Sequence, residues 1–327
     1  MKGAEHRDLK RAIAQLEQRR KRQRAGTTAM AVFGLIGFGI MIVPILFDRT
    51  PSPVATTQQS PTATTTVDSY EHMPIIAQAA IVYDLTTGQT LYEKNAQSQL
   101  PLASLTKLLT MYAAVSTLNP TTPVTMSPEA IAQDGDSGLT TGDTFAFKDI
   151  ARLALVASSN DAAAAIAETA AKKQAVSNRS LLASAAAAAG LAQTYALNGT
   201  GLDIDVNAKV SGGYGSAADI AMLAGALLKK APDIAHATIE PSITVRDASG
   251  KLHTLPNTNQ DIVHVPNPLL SKTGYTDLAG GNLAVVFDAG INHPVAVVVL
   301  GSTHEGRFTD VDRLVARTID HFAGISH

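Results

Sequence analysis

Asn282-Leu-Ala-Val-Val-Phe-Asp288 and Pro294-Val-Ala-Val-Val-Val-Leu300 are two β-branched apolar runs separated by Ala289-Gly-Ile-Asn-His293, the pattern of a β-hairpin. A second hairpin is written far upstream, where Ala79-Ala-Ile-Val-Tyr-Asp84 and Thr90-Leu-Tyr-Glu-Lys94 flank Leu85-Thr-Thr-Gly-Gln89. Between the hairpins the apolar periodicity is helical. It predicts helices over Ser104 to Leu118, over Lys148 to Ala170, and over Ala-rich Ser180 to Ala189, the last stopped by Gly190. A final helix is expected from Thr309 to Phe322. Strands at both ends with helices between them predict a mixed α and β fold, in which both ends of the domain feed one sheet covered by helices. No internal repeat is evident.

Upstream of this domain the composition changes twice. Ala29 to Phe47 is an uncharged run of nineteen residues, long enough at ~1.5 Å per residue to cross most of a ~30 Å hydrocarbon core. The cluster Arg19, Arg20, Lys21, Arg22 and Arg24 precedes it, and only Asp48 and Arg49 follow closely. The positive-inside bias then puts residues 1–28 in the cytoplasm, with 29–47 as a single-pass helix in the cytoplasmic membrane and the remainder outside it. The run exceeds the usual ~7–15 residue apolar stretch of a cleavable signal peptide, which favours a retained anchor. Leu9, Ile13 and Leu16 fall at helical spacing in the basic segment, consistent with a solvated juxtamembrane helix. Residues 48–73 are rich in Pro, Thr, Ser, Gln and Ala and read as a linker; the globular domain is expected over 74–327.

Composition removes several function classes. The 327-residue chain has no Cys, which excludes disulfides and thiolate metal sites. Its net charge is −2; residues 1–24 hold nine Lys/Arg against three Asp/Glu, so everything after them carries −2 − 6 = −8, with no basic surface to grip nucleic acid. The nine His show no metal-ligand spacing, and no metal or cofactor is expected.

Ser104-Leu-Thr-Lys107 puts a hydroxyl and an amine on one face of a turn, at a helix start marked by Pro101. Taken singly, this motif, Ser158-Ser-Asn160 and Lys272-Thr-Gly274 are ordinary: a helix-start serine, a snorkelling lysine, a cap and a turn. Together, each once and in this order, they are the constellation of penicillin-binding proteins and class A β-lactamases. The sequence resembles the serine D-Ala-D-Ala carboxypeptidases, the low-molecular-mass penicillin-binding proteins, over about Ile75 to Thr309. The likeness also includes Tyr83-Asp-Leu-Thr-Thr-Gly88, Leu100-Pro-Leu-Ala-Ser-Leu-Thr-Lys-Leu-Leu-Thr110, Asn198-Gly-Thr-Gly-Leu202 and His253-Thr-Leu-Pro-Asn-Thr-Asn259.

The resemblance implies a β-lactamase/transpeptidase-like fold: about five antiparallel strands covered by helices, with a helical subdomain and a cleft between. It also implies Ser104 as nucleophile, Lys107 as base, Ser158 as proton relay to the leaving amine, and Asn160 holding Lys107 and the substrate amide. Lys272 and Thr273 would take the substrate carboxylate, and the backbone N–H groups of Ser104 and Tyr275 the oxyanion. Gly274 would let a substrate strand lie against the sheet. Lys272 is the expected cause of a depressed Lys107 pKa, since two ammonium groups ~6 Å apart at an effective dielectric of ~20 repel by about 3 kcal/mol. The implied partners are the peptidoglycan stem peptide and, as covalent inhibitors, β-lactams.

The sequence departs from many relatives in ending at Ala323 to His327 after the last helix, as a catalytic domain anchored from its opposite end would, and in carrying Ser271 before the Lys-Thr-Gly motif. Three other functions share the motifs: a D,D-endopeptidase acting on cross-links, a β-lactamase, which needs a deacylating acid near Glu168, and a non-catalytic wall-binding scaffold. Gly135-Asp-Ser-Gly138 imitates a trypsin-like serine motif, but only His6 and His72 precede it and the region sits between helices, so Ser137 belongs either to a cleft-lining loop or to a surface turn.

Overall fold

The computed structural model of the protein describes Tyr70 and residues 73–135 and 137–325. The basic segment, the apolar run and nearly all of the linker lie outside the described residues, and among the described residues no helix is long and apolar enough to cross a membrane.

The upstream hairpin is β1 (Ala79–Asp84) and β2 (Thr90–Lys94). The helices are α1 (Thr106–Val115), α2 (Phe147–Val156), α3 (Asn160–Lys173), α4 (Asn178–Ala188) and α5 (Ala217–Lys230). A small hairpin, β3 (Ser242–Arg246) and β4 (Leu252–Pro256), leads to β5 (Pro268–Thr276), β6 (Gly280–Asp288) and β7 (Pro294–Ser302), and α6 (Gly306–Ala323) closes the domain.

The main sheet has five antiparallel strands in the order β5-β6-β7-β1-β2. The first described strand pairs with the last, Ala79 opposite Leu300 and Asp84 opposite Val295, so the two ends of the domain meet in the sheet as expected. The strands are continuous apolar runs because both faces are buried. Ile81, Ala284, Val286, Ala296, Val298 and Leu300 face the core under α1, α3 and α5. Their sequence neighbours Val82, Val285, Phe287, Val297 and Val299 face a second core closed by Val311, Leu314 and Val315 of α6. Side-chain alternation along a strand assigns each residue to one core or the other.

Two sequence expectations change. Lys148 to Ala170 is not one helix: α2 ends at Val156 and α3 starts at Asn160, with Ser158 at φ +56° in between and the Ser159 hydroxyl capping Ala162 N. The helical periodicity runs straight across this break, so apolar spacing could not reveal it. Ser104 lies on a short 3₁₀ turn, Ala103–Leu105, that feeds α1 rather than in the α-helix itself.

Candidate active site

α1 carries Lys107 one turn beyond Ser104, with its side chain completely buried. Lys107 Nζ lies 2.8 Å from Ser104 Oγ, 2.6 Å from Asn160 Oδ1 and 2.8 Å from the Thr200 carbonyl oxygen. Two of these three neighbours can only accept hydrogen bonds. A neutral amine therefore gives its two hydrogens to Asn160 and Thr200 and turns its lone pair to the Ser104 hydroxyl. Burial lowers the Lys107 pKa from 10.5 to about 7, with Asp161 pulling partly in the opposite direction. Lys272 repulsion was expected to dominate this shift; burial dominates instead. The mutual repulsion weighs on Lys272, whose pKa is pushed well below the usual lysine range by burial first, then by Lys107 and Arg307.

Lys272 is 1% exposed; its Nζ donates to Ser158 Oγ at 2.8 Å and to the Thr273 carbonyl at 2.9 Å. Thr273 Oγ1 lies 2.7 Å from Thr258 Oγ1, and the Thr258 backbone N–H donates to the Val156 carbonyl at 3.1 Å, at the end of α2. The segment around His253 to Asn259 thus braces β5 against the helices. Ser271 fits the same brace: its N–H donates to Thr238 Oγ1 and its hydroxyl accepts from Asn259 Nδ2.

β5 is an edge strand, paired among the described strands with β6 alone, and its Thr273, Gly274 and Tyr275 line the cleft. Gly274 packs closely against the turn that carries Ser104. A Cβ there would stand 3.0 Å from the Leu102 carbonyl oxygen and 3.3 Å from both Ala103 Cβ and Leu105 N. The absent side chain makes room for the Ser104 turn. Tyr275 is half exposed, its ring edge-on to His304 at a centroid distance of 4.9 Å.

A cavity of about 540 Å³ opens over these groups, lined among others by Ser104, Ser158, Thr273, Gly274, Tyr275 and Arg307. Arg307, in the first turn of α6, has no sequence motif to mark it. It is buried, its Nη1 donates to the Gly274 carbonyl at 2.9 Å, and its Nε is buried without a partner. Its place at the site follows from α6 packing on β6 and β7, from which the Arg307 side chain reaches the Gly274 carbonyl of β5. Thr200 belongs to the Asn198–Leu202 motif, but the use of its backbone carbonyl has no residue signature. Glu168, the acid considered for deacylation, accepts from Ser127 Oγ at 2.7 Å and does not line the cavity. Ser137 does not line it either; its hydroxyl donates to Ser159 Oγ at 2.7 Å.

The chain matches the family model described as D-alanyl-D-alanine carboxypeptidase over residues 63–304. It is 30% identical to the D-alanyl-D-alanine carboxypeptidase DacF of Bacillus subtilis over 73% of this chain and 61% of that protein. It is also 30% identical to DacD of Salmonella typhimurium over 77% of this chain and 65% of that protein, so it spans a little under two thirds of either relative. Its fold is similar to a crystal structure of D-alanyl-D-alanine carboxypeptidase from Mycobacterium tuberculosis H37Rv, with TM-score 0.66 at 22% identity over 80% of this chain and 95% of that one. Penicillin-binding protein D2 of Listeria monocytogenes in its ampicillin-bound form gives TM-score 0.64 at 25% identity, over 76% and 99%. By its three ordered motifs, its five-stranded sheet and these relatives, the chain belongs to the D-alanyl-D-alanine carboxypeptidase family.

Proposed function

We propose that the protein is a serine D-Ala-D-Ala carboxypeptidase that trims peptidoglycan stem peptides through an acyl-enzyme on Ser104 and is acylated by β-lactams. The observation that carries this reading is the environment of Lys107: a buried amine with a pKa of about 7 whose two other neighbours are pure acceptors. Ser104 Oγ attacks the carbonyl carbon of the penultimate D-Ala as its proton passes to Lys107 Nζ. The backbone N–H groups of Ser104 and Tyr275 receive the oxyanion. The C–N bond then breaks, and the departing D-Ala amine takes a proton relayed from Lys107 through Ser158, which touches Lys272 on its other side. Water, deprotonated by Lys107, releases the shortened peptide and frees Ser104. Lys272, Thr273 and Arg307 offer donors to the terminal carboxylate, whose negative charge favours the protonated form of Lys272.

A class A β-lactamase deacylates with a positioned Glu, and Glu168 is engaged with Ser127 and does not line the cavity. Titration with a fluorescent penicillin, paired with assay of D-Ala release from a D-Ala-D-Ala pentapeptide, tests the reading. Stable labelling of one site with D-Ala release is expected, and labelling that survives Ser104→Ala would overturn it.

The apolar run 29–47 and the basic cluster before it support a single-pass anchor in the cytoplasmic membrane, with the domain from Pro74 onward outside the membrane. Protease added to intact spheroplasts should digest that domain. Cleavage confined to residues before Arg24 would reverse the orientation.

A further inference from the structure

Asp134, Gly135 and Ser137, the last being the serine that imitates a trypsin-like motif, contact the break between α2 and α3. The Asp134 carbonyl accepts from Asn160 Nδ2 at 2.6 Å. Gly135, at φ +97°, runs so close that a Cβ would stand 3.4 Å from the same Asn160 Nδ2. Ser137 Oγ donates to Ser159 Oγ at 2.7 Å, and the buried Ser159 hydroxyl also caps α3.

An asparagine side chain is nearly symmetric in shape and opposite in chemistry at its two ends: the oxygen accepts and the nitrogen donates. Next to Lys107, only the oxygen end can receive the amine's hydrogen. A carbonyl on the far side of the amide, here that of Asp134, can be satisfied only by the nitrogen end. The two contacts therefore fix the same orientation. We propose that Ser137 is a positioning residue for acyl transfer: by tying its loop to Ser159 it holds the Asp134 carbonyl against Asn160, which locks the amide with Oδ1 toward Lys107.

This inference rests on the acyl-enzyme reading and extends it to a residue outside the cavity. Loss of the tie frees the amide to turn over, and a turned amide points N–H groups at Lys107. The other ionisable groups acting on Lys107 stay in place: Asp161 of α3 favours the ammonium, and Lys272 of β5 opposes it through their mutual repulsion. The ammonium form of Lys107 then loses an acceptor and meets a donor, so its pKa falls. At the same time Lys107 is less well aimed at Ser104.

The test is the pH profile of the second-order acylation rate constant with a fluorescent penicillin, for the full chain and for Ser137→Ala, Ser137→Thr and Gly135→Ala. Ser137→Ala should lower the plateau rate about tenfold and move the midpoint of the acid limb down by roughly half a pH unit. Labelling should still reach completion at long times, and Ser137→Thr, which keeps the hydroxyl, should restore most of both effects. Gly135→Ala strains the same loop through its backbone at φ +97° and should shift the limb in the same direction, so the outcome does not hang on the folding of one variant. A wild-type limb in both Ser137→Ala and Gly135→Ala, whatever their rates, would reduce the loop to a structural cover and overturn the inference. Ser104→Ala separates the two levels: its loss of labelling alongside unshifted loop variants sinks the positioning role alone, whereas labelling that persists in it sinks the acyl-enzyme reading itself.

Discussion

Lys272 Nζ donates to Ser158 Oγ at 2.8 Å across 114 residues of sequence. That bond ties the edge strand of the sheet to the break between two helices at the floor of the cleft. The two lysines thus each address a different serine, Lys107 the Ser104 hydroxyl and Lys272 that of Ser158.

Ser158→Ala removes the shared hydroxyl and leaves the backbone of the break unchanged in kind. Acylation by a fluorescent penicillin should slow on the order of 10²-fold, the usual loss for one proton-transfer group, with the melting temperature close to wild type. Wild-type acylation kinetics in this variant would remove Ser158 from the proton path.

With neutral Lys107 as the proposed base, acylation should rise with pH as its proton is lost, with a midpoint near pH 7 set by burial. Asp161 favours the ammonium form, and Asp161→Asn should carry the midpoint to lower pH. A midpoint that moves upward in Asp161→Asn, or a rate that is flat across neutral pH in the wild type, would contradict Lys107 as the base.

A peptide ending in D-Ala-D-Ala and the same peptide with a C-terminal amide differ in the one charge that Lys272 and Arg307 would receive. Charge-assisted contacts are worth ~1.5–3 kcal/mol each, so amidation should cost at least about tenfold in kcat/KM. Lys272→Ala and Arg307→Leu should each shrink the acid-to-amide ratio. Equal turnover of both peptides by the wild type would mean that the buried cations tune Lys107 and Ser158 and do not grip substrate.

Asp310 of α6 accepts from the backbone N–H groups of Ile76 and Ala77 at 3.0 and 2.8 Å and from Ser302 Oγ at 2.8 Å, and it is completely buried. Asp310→Ala strands these donors away from water, at a cost on the order of 3 kcal/mol. Urea denaturation should show a lower midpoint with an unchanged m-value, while folded protein still takes up penicillin. A loss under about 1 kcal/mol would show that water reaches the stranded groups.

Much of the fold is legible in the order of residues. β1, β6, β7 and α6 announce themselves through spacing and β-branching, because each strand or helix face must bury its own neighbours in sequence. The site residues from Ser104 to Tyr275 are legible as ordered motifs, since each motif is a few consecutive residues.

Other features are not local and have no such signature. The break at Ser158 interrupts an apolar pattern that continues through it, and it is held open by the Ser159 cap and by Lys272 from a distant strand. Arg307 carries no motif of its own; α6 packing on β6 and β7 brings it within reach of Gly274 and the cleft. Gly274 stands out in its motif, yet only the folded chain gives the reason for it, the Ser104 turn filling the space where a Cβ would be.

The sequence by itself determined which elements form, which faces they bury and which side chains can do acyl-transfer chemistry, because these depend on residue type and short-range spacing. Only the tertiary structure decided the electrostatics. The pKa of Lys107 is set by complete burial and by Asp161 rather than mainly by Lys272, and burial is a property of everything packed around a group. Tertiary structure likewise turned Ser137 from a misleading motif into a neighbour of the catalytic break. A loop's function depends on what the fold lays beside it, and the residues of its own segment do not record that.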